Sequence, residues 1–424
     1  MSLYANIKFD NSLNSVKSKL VINNIEVPIS GRKEKWFTNL PIKEGDKVEL
    51  VGNTEHVSLD ILPYKIYHPD QIAFDNKHKI QEFFLEGEPV FYSLTGNITN
   101  PKKCLITFPG VSNFDNINYR LSAMTSLQSR LHDVLILAFQ DKESVYGNYM
   151  YETKNGFKIK SIVRELISAL MLKYNLAPMD LIFYGNSKGA SIAIDYIDEF
   201  PFSKFFLDIP QLDLYNYLPQ NPLMRYSLGE NARLYYNYIK TLPELINKNV
   251  TYSFAENDFD ASRGIPMKSF SGLNVVMLKD MPHSGSAMEF VKRQFSKVIQ
   301  IVSGRDAVYK KNIDMRFVFV NNKLCASRLL GAFKEESMLG KIYAEIEFYN
   351  LDCSYSVSLN KKFDKAVCIY WQKGFDIIKH ISVGSYNMRL HVYFDFSEFV
   401  YPLNQSVQVN DSDVIVSSTL NSDH

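Results

Sequence analysis

Cysteine is scarce in this chain of 424 residues, which contains four: Cys104, Cys325, Cys353 and Cys368. No two of them form a Cys-x-x-Cys pair, so the sequence indicates neither a zinc site nor a disulfide framework. Scattered thiols in a long chain are typical of a reducing compartment. We therefore expect a cytoplasmic protein with no bound metal.

Long apolar runs and an excess of one charge are also missing. The strongest apolar runs, such as residues 134–139, cover about six residues, whereas a membrane-spanning helix needs about twenty. Residues 1–15 lack the basic stretch and apolar core of a signal peptide. The 47 Lys and Arg residues nearly cancel the 46 Asp and Glu residues. We therefore expect no membrane span and no nucleic acid partner.

The pattern of strands and helices predicts three domains. Residues 1–98 consist of short strand-like runs separated by turn residues, with no helix-period segment before about Lys79, which predicts a β-sandwich-like domain. In residues 99–304, strand-like runs alternate with helical stretches, which predicts an α/β domain. Apolar and polar residues alternate again in residues 305–424, which predicts an antiparallel β domain.

The apolar runs of the middle domain do not alternate, so we expect a mostly parallel sheet with helices on both faces. Strands are predicted at 104–108, 134–139, 181–184, 204–210, 250–256 and 274–279. Helices are predicted at 159–174, 190–200 and 286–302. A Tyr-rich helical insert at 222–248 lies between two strands and could serve as a lid.

In the C-terminal domain, Ala344, Ile346 and Phe348 alternate with Glu345 and Glu347. This period of two predicts a half-exposed antiparallel sheet, with the apolar residues on a core and the glutamates towards water.

A G-x-S-x-G pattern, Gly185-Asn186-Ser187-Lys188-Gly189, lies between a predicted buried strand and a predicted helix. A tight strand-to-helix turn strains the serine backbone and lifts the hydroxyl out of the turn, while the glycines allow the chain to approach closely. The adjacent helix N-terminus favours a developing oxyanion. We therefore predict that Ser187 is a nucleophile.

A serine nucleophile needs a base and an acid that orients the base. Asp258 follows one predicted strand, with Asp260 as the alternative acid, and His283 follows the next strand. His132, the other histidine of the middle domain, precedes a strand and should lie at the opposite end of the sheet. The sequence therefore predicts a triad of Ser187, Asp258 and His283.

An oxyanion hole needs two backbone N–H donors. We expect one from Lys188, directly after the serine, and the other from Gly110 or Val111, in the loop after the first strand of the middle domain. The candidates for substrate contact are Asn113 and Asn186.

Each candidate also has a plainer interpretation. Ser187 could cap a helix, Asp258 could be a turn residue, and His283 could make only structural hydrogen bonds. We interpret the Lys188 side chain as a solvated or substrate-facing charge rather than a catalytic base, and Asp208 as a structural partner. The placement of all three triad candidates at suitable strand ends favours the triad.

At these residues, and over about residues 100–304, the chain resembles the α/β-hydrolase superfamily. Its G-x-S-K-G turn between β-rich segments is similar to that of bacterial glycan-associated members, namely accessory-secretion glycan O-acetyltransferases and capsule-biosynthesis proteins. The HGGG oxyanion motif of many esterases is replaced here by Phe-Pro-Gly-Val. The resemblance implies ping-pong acyl transfer, in which the serine takes an acyl group and passes it to water or to a sugar hydroxyl.

The resemblance further implies an O-acetyltransferase or esterase that acts on a bacterial polysaccharide or glycan, with protein partners from a glycan-biosynthesis system. No bound cofactor is expected, and acetyl-CoA would be the acyl donor of a transferase. Two alternatives stay open: a peptidase of the same fold, and a non-catalytic module that binds glycan or protein on a hydrolase scaffold.

Overall fold

The computed structural model describes residues 3–9, 17–30, 36–112, 116–129, 131–214, 228, 249–258, 268, 272, 274–283, 298–302, 306–310, 315–329, 343–359, 368–394 and 397–418. Of the predicted insert at 222–248, all but residue 228 lies outside the described residues. Of the predicted helix at 286–302, residues 298–302 are described and are helical. In the part of the chain that the structure describes, no helix combines the length and the apolar character needed to cross a membrane.

The chain forms two compact units. Unit 1 consists of residues 1–203 and 213–238, and unit 2 consists of residues 204–212 and 239–424. The strands of the predicted middle domain are divided between the two units. The predicted domain bounds at residues 98 and 304 divide the chain differently and stay predictions.

Unit 1 begins with two three-stranded antiparallel sheets, ordered β4-β1-β6 and β3-β2-β5. Their strands are β1 (Leu3–Phe9), β2 (Lys17–Ile22), β3 (Ile25–Ser30), β4 (Phe37–Ile42), β5 (Val48–Gly52) and β6 (Val57–Leu62). Asn23 and Asn24 join β2 to β3 with φ of 47° and 68°, as a two-residue hairpin turn requires. Both sheets contribute side chains to one apolar core, which includes Ala5 and Leu20. The two sheets therefore form a small sandwich.

A short helix, α1 (Pro69–Lys77), lies where the sequence predicted no helix. Local signals start it: the His68 side chain accepts a hydrogen bond from the Asp70 N–H at 3.1 Å, and Pro69 occupies the first turn. Its buried residue is Gln71, so α1 has no apolar stripe that periodicity could reveal. The prediction was wrong here for that reason.

The rest of unit 1 is a five-stranded sheet in the order β7-β8-β10-β9-β11 with helices packed on it. β9, β10 and β11 run parallel, whereas β8 pairs antiparallel with both β10 and β7. The elements are β7 (Gln81–Leu85), β8 (Glu88–Gly96), β9 (Lys103–Phe108), β10 (Val134–Gln140), α2 (Ile159–Tyr174), β11 (Leu181–Asn186) and α3 (Lys188–Ile194). Every residue of β10 is buried, which explains why its sequence does not alternate.

Unit 2 contains a sheet in the order β12-β13-β14-β19-β18-β21-β22-β15, with β23 paired to β22. From β12 to β19 the neighbours are parallel, and β19, β18, β21, β22 and β23 pair antiparallel. The strands are β12 (Lys204–Asp208), β13 (Val250–Ala255), β14 (Asn274–Leu278), β15 (Val308–Tyr309), β18 (Tyr343–Tyr349), β19 (Ser354–Leu359), β21 (Gly384–Phe394), β22 (Ser397–Val409) and β23 (Val414–Ser418). A second sheet comprises β16 (Met315–Val320), β17 (Lys323–Leu329) and β20 (Cys368–Asp376), which leads into helix α4 (Ile377–His380).

The face of β18 and β21 that carries Glu345, Glu347 and His391 is buried, in contrast to the prediction that it meets water. Glu345 and Glu347 on β18 are 1% and 5% exposed, and His391 on β21 is 7% exposed. His391 donates from Nδ1 to Glu398 and from Nε2 to Glu347, both at 2.5 Å, and Tyr393 donates to Glu345 at 3.1 Å. Charged side chains can be buried when they are paired, so alternation alone does not distinguish a buried polar face from one that meets water.

Candidate active site

Ser187 lies in the turn that joins β11 to α3. Its backbone has φ 52° and ψ −116°, a conformation that costs a non-glycine residue free energy and persists only where the surroundings maintain it. Ser187 is 9% exposed, and in the described structure its side chain makes no capping hydrogen bond to α3. Ser187 therefore occupies the N-cap position of α3 without a capping hydrogen bond from its side chain, and a strained turn is what a nucleophile between strand and helix requires.

The two flanking glycines allow this turn to close. A Cβ at Gly185 would lie 2.1 Å from the carbonyl group of Gly189, and a Cβ at Gly189 would lie 2.5 Å from the carbonyl oxygen of Phe108. Both distances are far below van der Waals contact, so a side chain at either position would force backbone apart. The first approach tightens the turn on itself, and the second packs it against the end of β9.

The loop after β9 lies beside the turn. A Cβ built on Gly110 would be 3.6 Å from the carbonyl oxygen of Asn186, the residue before the serine. The structure thus brings one predicted oxyanion donor and one predicted substrate contact together. Val111 follows Gly110 and is half-buried. Asn113 lies outside the described residues, and the roles of all these groups stay predictions.

The Lys188 side chain is buried, which contradicts the prediction that it is solvated or faces substrate. It is 2% exposed, and its ammonium donates to the Asp141 carboxylate at 3.0 Å and to the Tyr146 carbonyl at 2.7 Å. A buried lysine requires a paired charge, and the sequence does not show which carboxylate provides it. The sequence nevertheless contained a signal for Asp141 as the partner, because Asp141 directly follows a buried strand. Asp258 lies at a similar position, three residues after its own strand.

Asp258 and His283 meet in unit 2. The imidazole donates from Nδ1 to Oδ2 of Asp258 at 2.6 Å. The Asp258 side chain is 2% exposed and the His283 side chain is 35% exposed. A buried carboxylate on Nδ1 selects the tautomer whose Nε2 can accept a proton. The pair therefore has the chemistry of an oriented general base.

Two adjacent strand ends bring this pair together. β13 and β14 are parallel neighbours, and the segments that follow them are joined by backbone hydrogen bonds. The Glu256 N–H donates to the Leu278 carbonyl at 3.0 Å, and the Asn257 N–H donates to the Met281 carbonyl at 2.9 Å. The segments that carry Asp258 and His283 therefore lie side by side.

A buried lysine adds a second link between the same two segments. Lys279 is 1% exposed, and its ammonium donates to Glu256 at 2.8 Å and to Asp280 at 3.1 Å. Glu256 also accepts from the Asp280 N–H at 3.0 Å. Sequence reasoning missed this link, although a lysine that ends an apolar run is a signal for a buried ion pair.

Two further aspartates, Asp208 and Asp260, were considered in the sequence. Asp208 is a structural partner, as predicted: it is fully buried and accepts from the Ser253 hydroxyl at 2.6 Å. The alternative acid Asp260 lies outside the described residues.

Ser187 belongs to unit 1, whereas Asp258 and His283 belong to unit 2, and the triad of all three stays a prediction. No group of three or more His, Cys, Asp or Glu side chains among the described residues is arranged to hold a metal ion.

Comparison with known proteins finds similar solved structures. The capsule O-acetyltransferase of Neisseria meningitidis serogroup A is similar over 52% of this chain and 94% of its own, with 17% identity and a TM-score of 0.39. A fluorophosphonate-binding serine hydrolase of Staphylococcus aureus is similar over 52% of this chain and 97% of its own, with 14% identity and a TM-score of 0.38. An esterase of Pyrobaculum calidifontis is similar over 55% and 92%, with 12% identity and a TM-score of 0.37. No protein-family model and no curated protein matches.

Proposed function

We propose that the protein is a serine-dependent acyl-ester enzyme of α/β-hydrolase type, with Ser187 as its nucleophile. The observation that carries the proposal is the strained backbone of Ser187, at φ 52°, in a glycine-flanked turn between a buried strand and a helix. Backbone strain of this kind is concentrated at functional sites. The hydrogen bond between Asp258 and His283 supports the proposal, because a serine nucleophile requires an oriented base.

In the proposed reaction, the Ser187 hydroxyl attacks the carbonyl carbon of an ester or thioester while Nε2 of His283 takes its proton. Asp258 holds the imidazole through Nδ1 and stabilises the positive charge that forms. When the tetrahedral intermediate collapses, the leaving alcohol or thiol receives the proton from His283. The product of this half-reaction is an acyl-serine.

The second half-reaction transfers the acyl group to an acceptor hydroxyl. His283 takes the acceptor proton, the oxygen attacks the acyl-serine, and the proton returns to the serine. In both halves, the backbone N–H of Lys188 and that of Gly110 or Val111 would bind the oxyanion. Asn113 and Asn186 would contact the acceptor. The acceptor is water in an esterase and a sugar hydroxyl in a transferase.

We further propose that this chemistry acts on a bacterial polysaccharide or glycan, most simply as O-acetyl transfer or its reversal. The supporting feature is the G-x-S-K-G turn of residues 185–189 in a chain with β-rich segments on both sides, as in the glycan-associated proteins that the sequence resembles. Acetyl-CoA would be the donor of a transferase, with no bound cofactor. The proposed setting is the cytoplasm, with partners from a glycan-biosynthesis system.

A fluorophosphonate probe tests whether the serine is reactive. We expect covalent labelling of the wild-type protein at Ser187, identified by peptide mass spectrometry, and no labelling of Ser187→Ala. Equal labelling of the variant would assign the reactivity to another residue. An unlabelled wild-type protein that is folded by circular dichroism would favour the non-catalytic alternative.

A second experiment separates a transferase from an esterase. The protein is incubated with acetyl-CoA, with and without a bacterial polysaccharide, and both acceptor mass and free acetate are measured. A transferase adds about 42 Da per acetyl group to the acceptor and releases coenzyme A in proportion. An esterase releases acetate whether or not the polysaccharide is present.

A further inference from the structure

Residues 141–150, which follow β10, form a loop that contacts two separate parts of unit 1. We name it the bridging loop. At its base it binds the Lys188 ammonium, next to the proposed nucleophile, and at its tip it packs into the core of the N-terminal sandwich. These contacts provide a continuous physical connection between the sandwich and the turn that holds the serine.

At the base of the bridging loop, the Asp141 carboxylate gathers three donors. It accepts from the N–H groups of Asn148 and Met150, at 3.1 and 3.2 Å, and from the Lys188 ammonium at 3.0 Å. The Asp141 and Lys188 side chains are 1% and 2% exposed. A Cβ at Gly147 would lie 2.1 Å from a carboxylate oxygen of Asp141, so the loop backbone closes directly over the ion pair.

The tip of the bridging loop lies in the apolar core of the sandwich. Val145 is 1% exposed and belongs to the same buried cluster as Leu20. Tyr146 packs against that cluster, with its ring edge-to-face with Phe37 at 6.0 Å between centroids. Its carbonyl oxygen also accepts from the Lys188 ammonium at 2.7 Å. One residue therefore contacts the sandwich through its side chain and the ammonium through its backbone.

Further contacts hold the loop between these two ends. Lys142 donates to Asp75 on α1 at 2.7 Å, and Lys65 donates to Glu143 at 2.9 Å. Four residues of the loop have positive φ: Ser144, Gly147, Tyr149 and Met150. A backbone of this kind persists only where its surroundings maintain it, so the loop has little freedom to absorb a displacement at either end.

We propose that Lys188 and Asp141 are positioning residues for the nucleophile, and that the N-terminal sandwich holds them in place through the bridging loop. This inference rests on the proposed function of Ser187. The peptide between Ser187 and Lys188 influences both the direction of the hydroxyl and the N–H assigned to the oxyanion hole. Anchoring the lysine side chain at the Asp141 carboxylate and the Tyr146 carbonyl restrains that peptide. The sandwich is then part of the catalytic architecture rather than a separate binding module.

Lys188→Met tests the base of the connection, because it keeps the length of the side chain and removes the ammonium. We expect both the rate constant of fluorophosphonate labelling and kcat for p-nitrophenyl acetate to fall about tenfold to a hundredfold, the effect of a small misplacement of a reacting group. KM should change less than about threefold, because no substrate contact is removed. Asp141→Asn should give a similar loss, and the double variant should lose little more than either single variant.

Val145→Ala tests the tip, with Leu20→Ala as its matched control. Both substitutions remove apolar atoms from the same core and should lower Tm, but Leu20 lies on β2, which pairs with β3 and β5. At a temperature well below both Tm values, we expect Val145→Ala to slow labelling about threefold to tenfold. Leu20→Ala should slow labelling clearly less than Val145→Ala does, because it leaves the side chains of the bridging loop unchanged.

The outcomes separate the inference from the function on which it rests. If the wild-type protein is not labelled at Ser187, the proposed function is wrong and the inference with it. If the wild type is labelled and folded Lys188→Met reacts at the same rate, the positioning role is wrong while the proposed function stands. If Lys188→Met does not fold, equal labelling rates of Val145→Ala and Leu20→Ala would overturn the inference.

Discussion

At the scale of single residues, two buried carboxylates beyond strand ends have different tasks. Asp141 binds the ammonium of Lys188, and Asp258 binds an imidazole whose charge changes in the proposed reaction. The first pairing fixes a position, whereas the second must tolerate a proton that arrives and leaves. The exposure of the two partner side chains agrees with this difference: Lys188 is 2% exposed, whereas His283 is 35% exposed.

His283→Ala should reduce ester turnover to background without loss of the fold. The side chain is partly exposed, and its removal takes a base away from the proposed nucleophile rather than atoms from an apolar core. The measurements are kcat for p-nitrophenyl acetate and the unfolding curve by circular dichroism. Retained turnover would rule out the base role, and collapse of the fold would show that the histidine is structural.

Asp258→Asn should lower kcat by about 10³-fold to 10⁴-fold with little change in KM, because an amide neither selects the correct tautomer nor stabilises the imidazolium. The substitution keeps the size of the side chain, so the thermal midpoint of unfolding should change little while kcat falls. The check is steady-state kinetics across pH on the folded variant. An undisturbed kcat would move the orienting role to Asp260, which can be tested by the same substitution.

At the scale of elements, the geometry of Asp258 and His283 depends on how the ends of β13 and β14 are joined. Lys279→Met should disturb that joint, because it removes the ammonium that links Glu256 to Asp280. We expect a loss of about 2 kcal/mol in the free energy of unfolding, the usual worth of a hydrogen bond to a charged group. Turnover should fall about tenfold, since the oriented base is displaced.

The matched control for this variant is Lys323→Met, because Lys323 is an exposed lysine on β17. It should change neither the free energy of unfolding nor kcat, since surface substitutions of this kind change stability by no more than about 0.5 kcal/mol. Chemical denaturation and steady-state kinetics provide the comparison. Equal behaviour of the two variants would show that the Lys279 contacts have no part in holding the strand ends.

The elements that could be predicted are those whose burial leaves a mark on the sequence. β10 is predicted at 134–139 and lies at Val134–Gln140, because burial on both faces produces an uninterrupted apolar run. α3 is predicted at 190–200 but lies at Lys188–Ile194. It begins two residues early because the Ser187 carbonyl already accepts from the N–H groups of Ala190 and Ser191. α1 could not be predicted from periodicity, because its signals are a cap and a proline.

At the scale of the whole chain, local patterns showed where strands end but not which distant charges meet there. Asp258 and His283 could be placed together because each follows one of two parallel neighbours. Lys188 could not be paired with Asp141, nor His391 with Glu347, because burial of a charge depends on partners that approach only in the fold. The buried ion pairs are therefore the part of this structure that sequence reasoning missed most consistently.

The His391 cluster makes the chain lose stability as the pH becomes alkaline. Burial alone would lower the pKa of His391, but the carboxylates of Glu347 and Glu398 raise it to about 9 from its ordinary value of 6.5. Burial would likewise raise the pKa of Glu347, but His391 and Arg389 hold it well below its ordinary value. Glu345, which accepts from Tyr393, is a further carboxylate on the same face. Both ring nitrogens of His391 therefore donate, and the folded state keeps the proton.

A group whose pKa is raised in the folded state contributes stability that is complete below its unfolded pKa and is lost as pH rises through the folded pKa. For His391 the window runs from 6.5 to about 9. The loss across it is on the order of 3 kcal/mol, at 1.36 kcal/mol for each pH unit of pKa difference. Tm should therefore fall between about pH 7 and about pH 9.5 in the wild type. His391→Gln should be less stable at neutral pH and should lack most of this fall.

His380→Gln is the matched control. Burial and Lys379 lower the pKa of His380 to about 4, so this histidine is neutral throughout the window. Its removal should leave the slope of Tm against pH unchanged. A wild-type slope that survives in His391→Gln would show that other groups bind the proton.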